Sequence, residues 1–502
     1  MKSLALFTTF CAMQLTTVLV NGEAINRRHL GKRAVPLSAT GAASTSSGSL
    51  PTPTAIVATG SAAALSSTGT PGTVAGTGTT PTPVVAGTPP AATGTDIPAL
   101  TLISSGMPTR TARAAATTYA PGAQPPISGA PKLPTLVTAV SLPTASYPAE
   151  NVVPDTNSPQ VQQWMKELDG FNIPDLKPTV DGSCASDPQF AADSANRGWW
   201  TCGGVTRDTD IVACPDKFTW GVSFDDGPSP YSDLSGTAAP YVLDFLQQKN
   251  LSATFFVVGS RILERPQILV QEYMAGHEIS VHTWSHSKPL TSLTNAELVA
   301  ELGWTRQIIK DVIGVTPTTM RPPWGDIDDR VRAVSMAMGM IPVIWTRSPS
   351  GSTFDTNDWK VAGGQGTAAD SFNTFQTILS QASQMETGFV VLEHDLFEVT
   401  VDIAIGYTLN AALNNNPKFN LEAIGQCQKF PAANMYLETN TNKTFPFPKN
   451  NATGANGSGS AAGSNSGGNN GKSGALRTLG LEQTKVVGVA VLVLTLALSM
   501  FA

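Results

Sequence analysis

From Val35 to about Pro148 the chain is built almost wholly of Ala, Ser, Thr, Gly and Pro, with runs such as Thr77-Gly78-Thr79-Thr80-Pro81-Thr82-Pro83. A stretch so poor in large apolar side chains buries too little surface to offset the entropy of ordering it. Residues 25–150 are therefore expected to form a solvated, disordered stalk that contributes no packed contacts and suits O-linked sugars. A second low-complexity stretch, Asn450 to Gly474, is rich in Gly, Asn and Ser and reads as a tether inside a linker over 431–475. What folds must lie between them. Residues 155–445 carry nearly all the Trp and Phe and are long enough for one sizeable domain, with 151–215 as its N-terminal extension.

Within that region short apolar runs alternate with helical stretches. The runs Phe218–Phe224, Ala253–Val258, Glu278–Val281, Thr318–Met320, Pro342–Trp345 and Phe389–Leu392 read as strands; Pro240–Gln248, Ala296–Ile313 and Phe372–Ser383 read as helices. Such alternation predicts an α/β fold on a parallel sheet or barrel, with ligands and catalysis at the carboxyl ends of the strands.

The two ends carry targeting patterns. Met1-Lys2 followed by an apolar run from Leu4 to Val20 and small residues to Ala24 reads as a secretory signal over 1–24. Lys32-Arg33 fits either a dibasic processing cut, with a propeptide to 33, or an exposed basic turn. Val486–Ala502 is an apolar run with no Lys or Arg after it. With the small residues Ser473-Gly474-Ala475 and a spacer before it, this predicts a glycosylphosphatidylinositol signal. Attachment would fall near Ser473 and the tail 476–502 would be removed, holding the folded region at the outer face of the plasma membrane and the cell wall.

Outside the signal, Cys184, Cys202, Cys214 and Cys427 are expected to form two disulfides, in any of three pairings. Asn250, Asn442, Asn451 and Asn456 each open an Asn-x-Ser/Thr sequon. A formal net charge of −6 argues against a nucleic-acid partner.

At the carboxyl ends of the predicted strands stand Asp225-Asp226, His282 with His286, Arg321, and His394-Asp395, so three of the five histidines fall where a barrel places its active site. Singly, each has an ordinary explanation. Asp225-Asp226-Gly227-Pro228 is good turn chemistry, and His394 after an apolar run reads as a core histidine. Together, two imidazoles four apart and a strand-end carboxylate match a His₂/carboxylate metal set with an open position.

In order along the chain stand Ser223-Phe224-Asp225-Asp226-Gly227-Pro228, His282-Thr283-Trp284-Ser285-His286, Arg321-Pro322-Pro323-Trp324-Gly325, Asp355-Thr356-Asn357-Asp358-Trp359 and Leu392-Glu393-His394. In these five motifs the region 216–430 resembles the NodB-type polysaccharide deacetylases, carbohydrate esterase family 4, and the fungal chitin deacetylases among them. Ser223 departs from the Thr usual in the family, and Trp324 from the Tyr frequent in its bacterial members.

The resemblance implies a distorted (β/α) barrel. It also implies a divalent metal, zinc or else cobalt, on Asp226, His282 and His286, with Asp225 as general base and His394 as general acid. By the same resemblance Arg321 orients Asp225, Asp358 or else Asp355 pairs with His394, and a backbone N–H near Trp324 holds the oxyanion, while Trp324, Trp359 and Leu392 wall the substrate pocket. The implied reaction removes N-acetyl groups from N-acetylglucosamine units. The motifs alone admit xylan and peptidoglycan as substrates; the stalk, anchor signal and wall setting favour chitin. A structural mannoprotein that merely binds chitin would be expected to have lost a catalytic residue, and none is missing.

Overall fold

Strand β1, Thr219–Asp225, is buried along its whole length, as the apolar run Trp-Gly-Val-Ser-Phe demands when both faces of a parallel sheet are covered. The structure is a computed structural model and describes residues 97–107, 118–135, 142–232 and 241–447. The other strands are β2 (Thr254–Val257), β3 (Glu278–Val281), β4 (Thr319–Met320), β5 (Ile341–Pro342), β6 (Phe389–Val390) and β7 (Asn420–Ala423). They are ordered β5-β4-β3-β2-β1-β6, with β7 also on β1, and every pairing is parallel. Beyond β5 the Thr346 N–H donates to the Val390 carbonyl, 3.0 Å, and Leu392 N–H to the Phe354 carbonyl, 2.9 Å. The sheet thus curls into a half-barrel whose gap is bridged by single bonds, the parallel α/β arrangement that the alternation predicts and the distorted barrel that the resemblance implies.

Between the strands run α1 (Val242–Lys249), α2 (Pro266–Met274), α3 (Asn295–Ile313), α4 (Asp329–Ala337), α5 (Asp358–Ala362), α6 (Ala368–Ala382) and α7 (Glu398–Ile403). Their ends follow local chemistry. A capping box of Thr294 and Glu297 opens α3, and Gly314, at φ 84°, lets the chain leave it in a left-handed turn. Thr367 with Asp370 does the same for the start of α6.

Three sequence expectations need correction. The last strands are shorter than the apolar runs Pro342–Trp345 and Phe389–Leu392, because past Pro342 and Val390 the backbone pairs through isolated bridges, Ile211 with Val343 after the first and Asp355 with Leu392 and Asp225 with His394 after the second. The stalk does not extend to residue 150. Ile97, Leu100, Ile103, Leu133 and Leu142 are buried in the main core, the Leu142 N–H donates to the Leu263 carbonyl, 2.8 Å, and Tyr147 donates to Asp311, 2.9 Å. A few large apolar residues spaced along a low-complexity stretch are enough to strap it onto the domain. Nor does the linker begin at 431: Met435 and Tyr436 are buried, and the Tyr436 hydroxyl accepts the Ile279 N–H, 3.0 Å.

The cysteines pair as Cys184–Cys202 and Cys214–Cys427, the second joining the approach to β1 to the turn after β7. Asn250 ends α1 in a left-handed conformation and is exposed, as is Asn442. No helix among the described residues is long and apolar enough to cross a membrane. The signal 1–24, Lys32-Arg33, Asn451, Asn456, Ser473 and the tail 476–502 lie outside the described residues.

Candidate active site

β1 ends at Asp225, and the next residue, Asp226, turns with φ 83°. Its N–H is held by the Phe256 carbonyl of β2, 3.1 Å, and its own carbonyl accepts from Arg261 Nη1, 2.6 Å. Thr283 (φ 66°), His286 (φ 48°) and Trp324 (φ 56°) also adopt left-handed backbone conformations. Non-glycine residues hold such conformations at a cost of about 1–3 kcal/mol each, and here they crowd one end of the sheet. The neighbouring Gly227 has no room for a side chain: a Cβ there would lie 2.7 Å from Asp395 Oδ2.

Asp226 Oδ1 lies 3.3 Å from His286 Nε2 and 3.5 Å from His282 Nε2. Among the described residues these three form the one group whose His and Asp ligand atoms lie within 4.8 Å of one another. His282 Nδ1 faces the Arg321 carbonyl at 2.8 Å; a carbonyl only accepts, so Nδ1 carries the proton and Nε2 offers its lone pair to the cluster. Burial is the largest influence on both imidazoles and lowers them to about 4 against the pull of Asp226, so they are neutral at neutral pH. For Asp226, burial is outweighed by His286, which like His282 is charged at the acid pH where this carboxyl would titrate, and by Arg261 and His394, and the carboxyl is held below the ordinary range. A buried carboxylate oxygen without a hydrogen-bond partner, Asp226 Oδ1, beside two neutral imidazoles is a donor set that fits a divalent cation.

Asp225 faces the same space, its Oδ2 3.8 Å from His282 Nε2. Its Oδ1 accepts from Arg321 Nη1 at 2.6 Å. That arginine is fully buried, with its guanidinium 4.0 Å from the centre of the Phe256 ring. Burial raises the Asp225 pKa and outweighs the opposing pull of Arg321, so the net direction is upward. Asp225 is thus a stronger base than an ordinary carboxylate.

On the facing edge, Asp225 N–H donates to the Glu393 carbonyl, 3.0 Å, and Asp395 N–H to the Asp225 carbonyl, 3.2 Å, which puts His394 opposite Asp225. The choice left open between Asp358 and Asp355 is resolved by α5. Asp358, its first residue, meets His394 Nδ1 through Oδ1 at 2.7 Å and accepts the His394 N–H through Oδ2 at 2.8 Å. Asp355 instead accepts the Asn357 N–H, 2.7 Å, and Trp359 Nε1–H, 3.3 Å. Burial disfavours the charged imidazole, yet Asp358, Asp226 and Asp225 outweigh it and raise His394 to about 10. Leu392 is two residues before His394 on the same extended stretch, so the two share a face. The Trp324 ring lies 4.5 Å from that of His286.

Sequence reasoning missed the supports. Glu301 Oε2 accepts the N–H of Trp284, 2.8 Å, and of Ser285, 2.9 Å, fixing the loop between the two histidines. Trp284 Nε1–H donates to the Ala149 carbonyl, 3.0 Å, and its ring stacks on Tyr147 at 6.2 Å. Arg261 clamps Asp226 as described. Glu301 left a signal: it shares the i, i+3, i+4 stripe of Leu298, Leu302 and Thr305, a carboxylate on the core face of a helix.

A family model described as polysaccharide deacetylase matches residues 213–343. Over 356 residues the chain is 51% identical to Chitin deacetylase 1 of Cryptococcus neoformans var. grubii, covering 70% of this chain and 72% of that one. The chain belongs to the polysaccharide deacetylase family. A second relative of this deacetylase, Chitin deacetylase 2 of the same organism, is 33% identical over 270 residues, 52% of this chain and 55% of its own. Among solved structures, the deacetylase is similar to the chitin deacetylase of Colletotrichum lindemuthianum, at 22% identity and TM-score 0.37, covering 47% of this chain and 97% of that one. The five motifs on which the resemblance rests all lie in the part of the chain that folds as the half-barrel.

Proposed function

We propose that this deacetylase hydrolyses the N-acetyl groups of N-acetylglucosamine units in chitin, releasing acetate and leaving chitosan, with a divalent ion, zinc or else cobalt, held by Asp226, His282 and His286. The observation that carries the reading is the convergence of a three-ligand group, a base buried beside it and a protonated histidine on the facing stretch. A divalent ion at such a group supplies Lewis acidity, acidifying water and polarising an otherwise unreactive amide carbonyl.

The chain's own residues do the rest. Asp225, with a raised pKa and its other oxygen tied to Arg321, accepts the proton of the attacking water. As the carbonyl carbon becomes tetrahedral, its oxygen gathers charge beside the turn at Trp324, whose backbone N–H is assigned to it. His394, charged because Asp358 grips it, gives its proton to the departing nitrogen, since an amide anion is too basic to leave. The C–N bond breaks, acetate keeps the oxygen from water, and the sugar keeps an amine. Trp324, Trp359 and Leu392 wall the pocket around the acetyl group.

Chitin is favoured over other acetylated polymers by the names and organisms of the relatives and by the stalk and anchor signals. Secretion through residues 1–24 and attachment near Ser473 place the enzyme at the cell wall in this reading, with N-glycans on Asn250 and Asn442. Acetate release from chitin oligomers and from acetylated xylan, each with and without chelator, tests it. Chelator-sensitive release from chitin oligomers is expected; release from xylan alone, or release indifferent to chelator, would refute it.

A further inference from the structure

Among the described residues, three aromatic side chains are substantially exposed: Trp324 at 42%, Trp359 at 37% and Phe397 at 49%. All three sit past the carboxyl ends of β4, β5 and β6, on the stretches that carry the candidate catalytic groups. Trp324 and Trp359 are tied into the site by the His286 ring and the Asp355 carboxylate. Phe397 has no such tie, and folding gives no reason for its position: a half-exposed ring contributes little burial.

Its backbone, by contrast, is fixed. Three residues past His394, the Phe397 carbonyl accepts the Val401 N–H, 3.1 Å, and the Thr400 hydroxyl, 2.8 Å, so that it caps the first turn of α7. Helix α7 packs against α5, which carries Asp358 and Trp359. Phe397 therefore stands on a rigid mount near the histidine that protonates the leaving group, with its ring left to solvent.

We infer that Phe397 is a stacking platform for a sugar ring next to the one being deacetylated, so that it favours longer chains over short ones. This rests on the chitin reading above. A β-linked glucosamine ring carries its polar substituents around its edge and presents C–H bonds on its faces, an apolar plate of the size of a phenyl ring. Laying one on the other removes apolar area from water on both and adds dispersion contacts, with little ordering cost because a Phe ring has two rotatable bonds. Such a contact adds binding for any oligomer long enough to reach it and nothing to the chemistry at the acetyl carbon.

Initial rates on N-acetylglucosamine oligomers of two to six units, measured on the full chain, test this. Phe397→Ala should raise KM for the hexamer by about tenfold with kcat nearly unchanged, and the effect should shrink as the oligomer shortens. Phe397→Trp should restore hexamer binding and Phe397→Leu should not, because leucine has similar bulk but no flat face. An equal loss at every length, a loss in kcat instead of KM, or full activity of Phe397→Ala on the hexamer would overturn the inference. If the unaltered enzyme releases acetate from none of the oligomers, the chitin reading fails and this inference falls with it.

Discussion

Asp358 grips His394 twice, through the ring nitrogen and through the backbone N–H, so the charge on the imidazole depends largely on one carboxylate. Replacing it by Asp358→Asn keeps the shape and removes the charge. The pKa of His394, raised to about 10 in the intact site, should fall towards the ordinary value near 6.5. A general acid works only while protonated, so the alkaline limb of kcat/KM against pH should move to lower pH, while the acid limb, set by Asp225, stays. An unmoved alkaline limb would mean that His394 is not the acid. At this scale the sequence showed the carboxylates and imidazoles that the fold brings together, because such groups at strand ends are conspicuous. It did not distinguish Asp355 from Asp358, three residues apart, since only the start of α5 decides which one faces His394. Arg261 was hidden for a similar reason: it acts on a backbone carbonyl, and no spacing in the sequence announces that.

At the scale of elements, composition was a good guide to the strands and a poor one to the segment before them. Tyr147 and Ala149 press on Trp284, which stands between His282 and His286, while Ile97, Leu100 and Ile103 are buried in the main core. A chain beginning at Asn151 should therefore melt at lower temperature and bind its divalent ion several-fold more weakly than one beginning near residue 95, as measured by calorimetric titration with Zn²⁺. Equal stability and equal affinity would show that the strap is dispensable, as its Ser/Thr/Pro content alone suggests. The sheet was legible because a buried parallel strand reads as a continuous apolar run. β7 was not, for Asn-Leu-Glu-Ala is too short to show a period.

Across the whole molecule, buried acids set the dependence of stability on pH. Burial raises Glu393 to about 8, against a hydrogen bond from Thr408. It raises Glu301 and Asp395 to about 7 against the hydroxyls of Ser285 and Ser232. All three lie above the unfolded value of about 4, so the folded state binds more protons. Their contribution is whole below about pH 4 and is lost as pH rises through 7 to 8. His394 acts in the same sense, its contribution whole below about 6.5 and lost towards 10. Buried His277, lowered to about 4, acts in the opposite sense: its contribution is present above about 6.5 and is lost as pH falls through 4. The melting temperature should fall between about pH 6 and pH 9; a rise over that range would contradict these assignments. The central claim, that neighbouring carboxylates divide metal binding from proton transfer, is tested most directly by metal content and acetate release measured together on two variants. Asp226→Asn should lose both metal and activity, since an amide is a poor replacement for a charged ligand beside two neutral imidazoles. Asp225→Asn should keep its metal and lose activity by about 10²- to 10⁴-fold. Metal lost from Asp225→Asn and kept by Asp226→Asn, or full activity in both, would contradict the account.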